Sequence, residues 1–496
     1  MPVKLWPVYI LDMQTPFFPA FRPRFAACRR NATGQIRHAS LAELDHYLQG
    51  IFPRHLLSQE DEGLNSRQRI FTLQLTFECF LWQILKPKTA CREVVRQVQA
   101  LFRLRNLGSV DADTSAYCQA RQRLPKERLE RILAATAATA DQRVGKGGQL
   151  AGRPVKVVDA SSAQLLDTPE NQKRYPRPAK QKPGCGFPVL KFLLLFSLNS
   201  GSVLSAITAS LSNHELRLLR QLQEEFRAGD ILLGDRSFGE YTTLATWPQR
   251  GVDVVARVHA TRKVDFRKGR RLGKNDALFV WTKNPEPSRL YSPEQWAALP
   301  TQITVRIIRV KARIRGRSGR RVTLVTSLLD PQVYPAEQIA ALYARRWRLE
   351  MCLRDLKTTM GMDQLRCLSP EMAERELLMY FIGHNLIRCI MAEAVSRLEA
   401  QLERLSFRGT VDTLRQYGAA MAQARSGKMR NRLWQDLLLN LARDLVPNRP
   451  GRYEPRVVKH RPKPFALLNK PRRQYIEVCH RSKYSRSHPR NFRLIN

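Results

Sequence analysis

Three carboxylates that lie far apart in the sequence have the surroundings expected of a metal-dependent active site. Asp159 ends the β-rich run VKVVDASS, Asp235 follows the apolar strand DILLG, and Glu350 lies in a long helical segment. Because open α/β sheets bind ligands beyond the carboxyl ends of their strands, both aspartates are expected at such a site. Oxygen ligands select Mg²⁺ or Mn²⁺ over zinc. The three side chains together therefore predict a divalent-cation site that acts on nucleic acid.

Glu350 shares its predicted helix face with an aromatic residue and several cations. Tyr343 and Arg346 precede it at i−7 and i−4, and Arg354 and Lys357 follow it at i+4 and i+7. A carboxylate flanked by cations can bind a metal while the cations hold phosphate oxygens. A Glu–Arg pair at this spacing is otherwise an ordinary solvated salt bridge, so the prediction depends on the combination. The apolar stripe of the helix lies elsewhere, at Ile339, Leu342, Leu349 and Leu353.

The charge of the chain points to a polyanionic partner. Its 496 residues include 84 Lys and Arg against 43 Asp and Glu, a formal net charge of +41. Nucleic acid is the commonest partner of so basic a protein, and an anionic membrane is the competing one. Hydrophobic residues make up 43%, which excludes a disordered or collagen-like chain. We expect neither a signal peptide nor a membrane span, because every long apolar run is interrupted by charge.

The nine cysteines of the chain include no CxxC pair. An odd count without that spacing argues against a zinc site and against a disulfide framework. It favours the reducing cytoplasm as the place where the protein acts.

The pattern along the chain predicts an α/β protein with flanking helical regions. Apolar residues recur every three or four positions over 41–140, which indicates helices. From residue 155 strands and helices alternate, as in a sheet with helices on its faces. The β-like segments of 254–328 favour a mostly antiparallel insert. We divide the chain into an N-terminal arm and helical DNA-binding region (1–150), the first part of the core (151–253), the β insertion domain (254–328), the second part of the core with the helix of Glu350 (329–369), a C-terminal helical region (370–447) and a basic tail (448–496).

The segment around Glu350 also matches the signature of a known enzyme family. Residues 343–357, YARRWRLEMCLRDLK, fit Y-x2-R-x3-E-x6-K without a gap. This pattern resembles the signature of DDE transposases of the bacterial "insertion sequence four" family. The four signature positions are Tyr343, Arg346, Glu350 and Lys357.

Two further motifs extend this resemblance. VVDAS at Asp159 and GDRSFG at Asp235 are similar to the two Asp motifs of the family. A long β insert between the second Asp and the Glu is also a family trait. The resemblance is strong over 155–360 and weaker over the N-terminal helices and the basic tail.

The resemblance implies an RNase H-like catalytic core interrupted by an antiparallel β domain, in a cut-and-paste DNA transposase. Asp159, Asp235 and Glu350 would be the catalytic residues and would hold two Mg²⁺ ions, with Mn²⁺ as the alternative. The metals would activate a water, and then a DNA 3′-hydroxyl, for in-line attack on phosphodiesters. Members of this family typically cut the second DNA strand through a hairpin.

The signature helix and one tryptophan are also expected to contact DNA. In better-known relatives an insert tryptophan receives a flipped base. Trp281 in LFVWTK is our candidate, and Trp347 is the second. A residue that packs on the sheet is the alternative interpretation of Trp281. The residues of the signature helix expected to contact transposon-end DNA are Tyr343, Arg346, Lys357 and, from its place on the same face, Arg354.

A helix-turn-helix is a further candidate for DNA contact, in residues 94–124. Its second helix would direct Tyr117, Gln119, Arg121 and Arg123 towards DNA. The linker between the two helices is long for this motif. The alternative is a helical bundle with a solvated basic face.

Three basic segments are predicted to reach the DNA backbone. They are the runs RKGRRLGK (267–274) and RIRGRSGRR (313–321) and the tail 448–496. Solvated loops and a solubilising disordered tail are the alternatives, because charge runs are commonly solvated.

The predicted partners are double-stranded DNA, as transposon ends and target, and a second copy of the chain in a synaptic homodimer. We expect no membrane and no nucleotide cofactor, and a cytoplasmic, nucleoid-associated location. Two other functions stay open: a structure-selective nuclease with the same core, and a DNA-binding protein derived from a transposase with no remaining activity. A membrane-surface protein is less favoured, because no amphipathic anchor of convincing length is visible.

Overall fold

The structure is a computed structural model, and its described residues divide into two compact units. The first unit comprises Met1–Gly145 and Ile382–Pro447, and the second Lys146–Phe381 and Asn448–Asn496. The described residues are 50–51, 53–58, 69–145, 147–178, 186–259, 261–288, 290–312, 320–398, 401–424, 426–447, 474–478 and 491–494.

The described residues contain thirteen α-helices. They are α1 (Leu73–Leu85), α2 (Cys91–Leu104), α3 (Ser115–Arg123), α4 (Lys126–Val144), α5 (Pro169–Arg174), α6 (Glu215–Gln221), α7 (Tyr241–Thr246), α8 (Pro293–Ala297), α9 (Ala336–Arg345), α10 (Trp347–Arg354), α11 (Pro370–Leu398), α12 (Phe407–Gln423) and α13 (Gly427–Arg443).

The strands lie mainly in the second unit. They are β1 (Gln149–Leu150), β2 (Arg153–Gln164), β3 (Val189–Ser197), β4 (Val203–Ser210), β5 (Ile231–Leu233), β6 (Asp253–Arg257), β7 (Arg270–Gly273), β8 (Asp276–Thr282), β9 (Gln302–Ala312), β10 (Arg320–Thr326), β11 (Tyr475–Val478) and β12 (Asn491–Leu494). β11 and β12 pair with each other as an antiparallel ladder.

The first unit is helical. α2 has the clearest amphipathic pattern, and its apolar stripe of Val94, Val98 and Leu101 is buried. α1 is buried on most of its surface, in keeping with its apolar sequence. The helices predicted over 91–140 are confirmed as α2, α3 and α4, whereas the one predicted from residue 41 lies outside the described residues.

The second unit is built on one sheet with the order β4-β3-β2-β5-β6-β10-β9-β8-β7. β2, β3 and β4 form an antiparallel meander, and β5 and β6 run parallel to β2. This order and these directions are those of an RNase H-like sheet. The predicted α/β fold class is therefore confirmed.

The predicted β insert continues the core sheet. Its strands β7, β8, β9 and β10 are antiparallel, as expected, and β10 pairs with β6 of the core. The run VVAR, which was placed at the start of the insert, belongs to β6, so the insert begins after Arg257. Strand pairing is non-local, and the sequence pattern alone does not show which strand the insert joins.

The core of this unit lies on the sheet and on the helices that cover it. The central strands read as continuous apolar runs because both of their faces are covered. Leu193 and Leu195 of β3, for example, are completely buried. The same cluster continues through Trp247 to Trp281 and Ile307 of the insert, so the core and insert pack as one body.

The helix predicted over 335–360 is interrupted. α9 ends at Arg345, α10 begins at Trp347, and a π-helical turn follows over Asp355–Thr359. Side chains three and four positions apart share a face only within an unbroken α-helix. The single face predicted from Tyr343 to Lys357 is therefore not formed over its whole length.

Among the described residues, one helix is long and apolar enough to cross a membrane by length and composition. It covers 370–396 within α11, and 83% of its apolar window is buried inside the fold. Core helices of globular proteins meet the same criterion.

Candidate active site

The parallel strands place three polar residues in one row. Val157 of β2 pairs with Leu233 of β5, and Leu233 pairs with Val255 of β6. Two residues further along these chains come Asp159, Asp235 and Arg257. Asp159 lies in the middle of β2 and Arg257 is the last residue of β6, and strand alternation directs these two side chains to one face. Asp235 lies just beyond the end of β5, between these two strands.

The turn after β5 depends on two glycines. A Cβ on Gly234 would lie 2.8 Å from the ring of Phe238, and one on Gly239 would lie 2.5 Å from the carbonyl oxygen of Arg257. Asp235 caps the short helical turn that follows, because its Oδ1 accepts a 2.7 Å hydrogen bond from the Ser237 N–H. The motif GDRSFG therefore fixes the aspartate at the end of the strand.

Glu350 approaches this row from the helical side of the site. Its Oε1 accepts a 3.1 Å hydrogen bond from Nη2 of Arg346, at the junction of α9 and α10. Arg346 also hydrogen-bonds Tyr343, and its guanidinium interacts with Asp159. One arginine thus faces two of the three predicted carboxylates.

Asp159 is the electrostatically strained member of the group. Burial, with a smaller contribution from the negative charges of Asp235 and Glu350, raises the pKa of this carboxyl to about 6. Arg346 and a 3.0 Å hydrogen bond from the Ala160 N–H act in the opposite direction. The three predicted carboxylates are therefore close enough to influence one another.

Asp159, Asp235 and Glu350 offer only carboxylate oxygens, which are the ligands that hard divalent cations prefer. In the part of the chain that the structure describes, no three His, Cys, Asp or Glu side chains are grouped to hold a metal ion together. Instead, Arg346 supplies the positive charge beside Glu350. The three carboxylates therefore match Mg²⁺ or Mn²⁺ in ligand type, while Arg346 occupies the position beside Glu350.

The remaining residues of the predicted helix face are arranged differently. Arg354 is exposed and lies 3.6 Å from Asp355, so it forms a surface ion pair. Lys357 is half-buried within the π-helical turn. Trp347, next to Arg346 in the chain, is 60% exposed. The structure thus gathers Tyr343, Arg346 and Glu350 and leaves Arg354 on the surface.

Trp281 does not offer a free ring face to DNA. It is 5% exposed, belongs to the hydrophobic core and lies under the Arg262 guanidinium at 3.9 Å from the ring centroid. The prediction that Trp281 stacks on a flipped base is wrong for this conformation. The alternative interpretation, packing on the sheet, is the one that the structure supports, because the residue alternation of β8 directs Trp281 inward.

The predicted recognition helix is α3, in the first unit. Tyr117 is fully buried, and its hydroxyl donates a 3.0 Å hydrogen bond to Gln83 Oε1. The prediction that Tyr117 faces DNA is therefore wrong. Arg121 is half-buried and its guanidinium lies over the rings of Phe80 and Tyr117. Arg123 is also half-buried.

Sequence reasoning missed Arg257. It ends β6 in the same row as the two aspartates and interacts electrostatically with Tyr343. The signal that could have found it is positional: an arginine directly follows an apolar strand, as the aspartates do.

The basic segments were predicted to reach the DNA backbone. Over 267–274 their Lys and Arg side chains are exposed. Residues 313–319 and most of the tail 448–496 lie outside the described residues.

Comparisons with known proteins identify the family that this chain resembles. Residues 150–386 match the Transposase DDE domain family. The chain is 26% identical over 406 residues to transposase InsG for insertion sequence element IS4 of Escherichia coli (strain K12), covering 81% of this chain and 88% of that protein. It is 29% identical over 192 residues to the putative transposase InsL for IS186A of the same organism, covering 34% of this chain and 51% of that protein. A cryo-EM structure of the piggyBac transposase synaptic complex with hairpin DNA aligns at 10% identity and a TM-score of 0.39, covering 84% of this chain and 87% of that chain.

Proposed function

Because the chain belongs to the DDE transposases of the IS4 family, we propose that Asp159, Asp235 and Glu350 form its catalytic metal site. The chain is thus an insertion-sequence transposase, an enzyme of DNA cleavage and strand transfer. DDE transposases use divalent metal ions, and in our proposal two Mg²⁺ ions, or Mn²⁺, bind these three carboxylates. Such ions neutralise charge on the attacking, leaving and non-bridging oxygens of a phosphodiester.

The observation that carries this proposal is the proximity of the three carboxylates, because the charges of Asp235 and Glu350 both act on Asp159. The parallel pairing of β2 with β5 ends at Val157 and Leu233, two residues before Asp159 and Asp235. The raised pKa of Asp159 supports a cation requirement, since a buried carboxylate is costly without a counter-charge.

The cations around the carboxylates are proposed to position DNA. Arg346 and Lys357, together with Arg257, would neutralise phosphates next to the reacting bond, while Tyr343 holds Arg346. Trp347 is the exposed aromatic residue beside this group, and we assign it the stacking contact with an unpaired base.

The wider assembly follows from the reaction. Joining two transposon ends to a target requires that both ends be held together, so we propose a homodimer in the synaptic complex. Terminal inverted repeats, a hairpin intermediate, phosphate contacts by Arg121, Arg123 and Arg354, and action on nucleoid DNA in the cytoplasm belong to the same proposal. No nucleotide cofactor is needed, because the transferred 3′-hydroxyl is the nucleophile.

Cleavage of DNA that carries the element's own ends tests the proposal. The full-length chain, Glu350→Gln and the control Glu337→Gln would be compared with Mg²⁺ or Mn²⁺. Glu337 is an exposed acid in the first turn of α9. We expect Glu350→Gln to bind end DNA but to cut at least about 10³-fold more slowly, since metal binding contributes several kcal/mol to the transition state.

The three outcomes separate the functions considered above. Equal cutting by wild type and Glu350→Gln would overturn the site assignment. Cutting at the element boundary without joining to target would indicate a nuclease, and binding without cutting by all variants would indicate a DNA-binding protein that has lost activity.

A further inference from the structure

Two cysteines outside the catalytic site lie against each other in the first unit. Cys91 is the first residue of α2, and Cys118 lies in the middle of α3. Each thiol is the largest influence on the pKa of the other, and Gln83 bridges their surroundings, because its Nε2 lies 3.7 Å from the Cys91 sulfur and its Oε1 accepts a 3.0 Å hydrogen bond from Tyr117, the residue before Cys118. Both cysteines are partly exposed, and neither forms a disulfide. They are 27 positions apart in the chain, so the fold, not a CxxC spacing, brings them together.

The surroundings of the pair favour a thiolate on Cys91. Its sulfur accepts a hydrogen bond from Gln83 Nε2 at 3.7 Å, and Cys91 is the first residue of α2, whose N-cap Ala90 provides no side-chain cap. Arg121 Nη2 lies 3.7 Å from the Cys118 sulfur and interacts with both thiols. Donors, a helix N-terminus and a nearby cation are the features that activate cysteines.

The two thiols of the pair have different roles. The hydrogen bond from Cys118 holds the pKa of Cys91 well below its usual range, whereas the same contact and burial raise the pKa of Cys118. Cys91 is thus the thiol that attacks first, and Cys118 is the thiol that attacks in the second step. By contrast, burial raises the pKa of Cys79 in neighbouring α1, which is completely buried.

We propose that Cys91 and Cys118 form a reversible disulfide when the protein meets a low-molecular-weight disulfide. The Cys91 thiolate attacks one sulfur of glutathione disulfide, forms a mixed disulfide and releases one glutathione thiolate. Cys118 then loses its proton to solvent and attacks the Cys91 sulfur, which releases the second glutathione. Two protein thiols are oxidised, and one glutathione disulfide is reduced to two glutathione molecules.

Formation of the Cys91–Cys118 bond requires a change in the side-chain positions of the two cysteines. A disulfide bond is about 2 Å long, so rotation of the two side chains, one at the start of α2 and one in the middle of α3, must bring the sulfurs to that distance. The bond would fix the start of α2 to α3, the helix that carries Arg121 and Arg123. In a reducing cytoplasm the pair stays reduced and responds only to disulfide stress.

Peptide mapping of the full-length protein after exposure to glutathione disulfide tests the proposal. Wild type should yield a Cys91–Cys118 cross-linked peptide that dithiothreitol removes. Cys118→Ser should stop at a stable glutathione adduct on Cys91, because the second thiol is missing. Cys91→Ser should leave Cys118 largely unmodified, and Cys79 should stay unmodified in all three proteins.

The opposite pattern would overturn the proposal. A wild-type protein that accumulates only glutathione adducts shows that the two sulfurs do not reach each other. A Cys118 that reacts equally fast in Cys91→Ser shows that Cys91 is not the attacking thiol. Melting curves of both serine variants establish that they are folded, and the wild-type cross-link is decisive without them.

Discussion

Replacing Asp159 by asparagine should stabilise the metal-free protein, although the residue is proposed to be catalytic. Burial and the neighbouring carboxylates raise the pKa of Asp159 from 3.8 to about 6. Each tenfold change in the acid dissociation constant corresponds to about 1.4 kcal/mol. The ionised carboxylate therefore costs the folded state about 3 kcal/mol at neutral pH, and the neutral amide avoids this cost.

The sign of the pH dependence follows from linkage. Below pH 3.8 the carboxyl is protonated in both the folded and the unfolded chain, so it costs nothing. As the pH rises from about 4 to 6, the unfolded chain releases the proton first, and the free energy of unfolding falls. Above pH 6 the full penalty is present. The advantage of Asp159→Asn should therefore grow between pH 4 and 6 and then stay constant.

Urea denaturation in EDTA at pH 4.5 and pH 8, followed by tryptophan fluorescence, measures this difference. Asp436→Asn serves as the control, because Asp436 is exposed on α13. Adding Mg²⁺ at pH 8 should narrow the gap, since a bound cation stabilises only the wild type. A wild-type minus Asp159→Asn difference that is the same at both pH values would refute the reasoning.

Three further predictions follow from named contacts. Arg346→Gln should bind Mn²⁺ about tenfold more tightly without DNA, because a competing cation is gone, and it should bind end DNA more weakly. Calorimetry measures both affinities, and an unchanged Mn²⁺ affinity would contradict the prediction. Trp281→Ala should lower the free energy of unfolding by about 3–5 kcal/mol, whereas Trp347→Ala should leave melting unchanged and slow cleavage of DNA ends; equal melting losses would argue against this division. Arg306→Met should cost about 3–5 kcal/mol by leaving Asp276 buried and unpaired, and replacing Asp276 by leucine as well should recover most of that loss in denaturation curves.

The three carboxylates of the proposed metal site were selected from local signals in the sequence. An apolar strand that ends in aspartate and a helix with four fixed positions can be read directly from the chain. The prediction that Asp235 follows a strand is confirmed, because β5 ends at Leu233. The prediction that Asp159 ends a strand is wrong, because β2 continues to Gln164 and pairs with β3 on both sides of Asp159.

The failures concern properties set by tertiary contacts. Tyr117 has polar sequence neighbours and Trp281 lies in an apolar strand, and both are buried by elements distant in the chain. The sequence does not show which face of each element these contacts cover. The interruption at Arg346 and the π-helical turn leave no clear periodic signal, because the residues around them are good helix formers. Nor does the sequence show that Cys91 and Cys118 meet, since the contact depends on how α2 packs on α3.

The insertion between Asp235 and Glu350 also has a consequence for protein synthesis. Asp159 and Glu350 are separated by about 190 residues, which include the whole β insert. At translation rates of about 5–20 residues per second, a ribosome needs roughly 10 seconds or more to pass from one to the other. During that time the nascent chain has its aspartates and no glutamate. Prematurely terminated chains that lack Glu350 would therefore be unable to cut the genome of the cell that makes them.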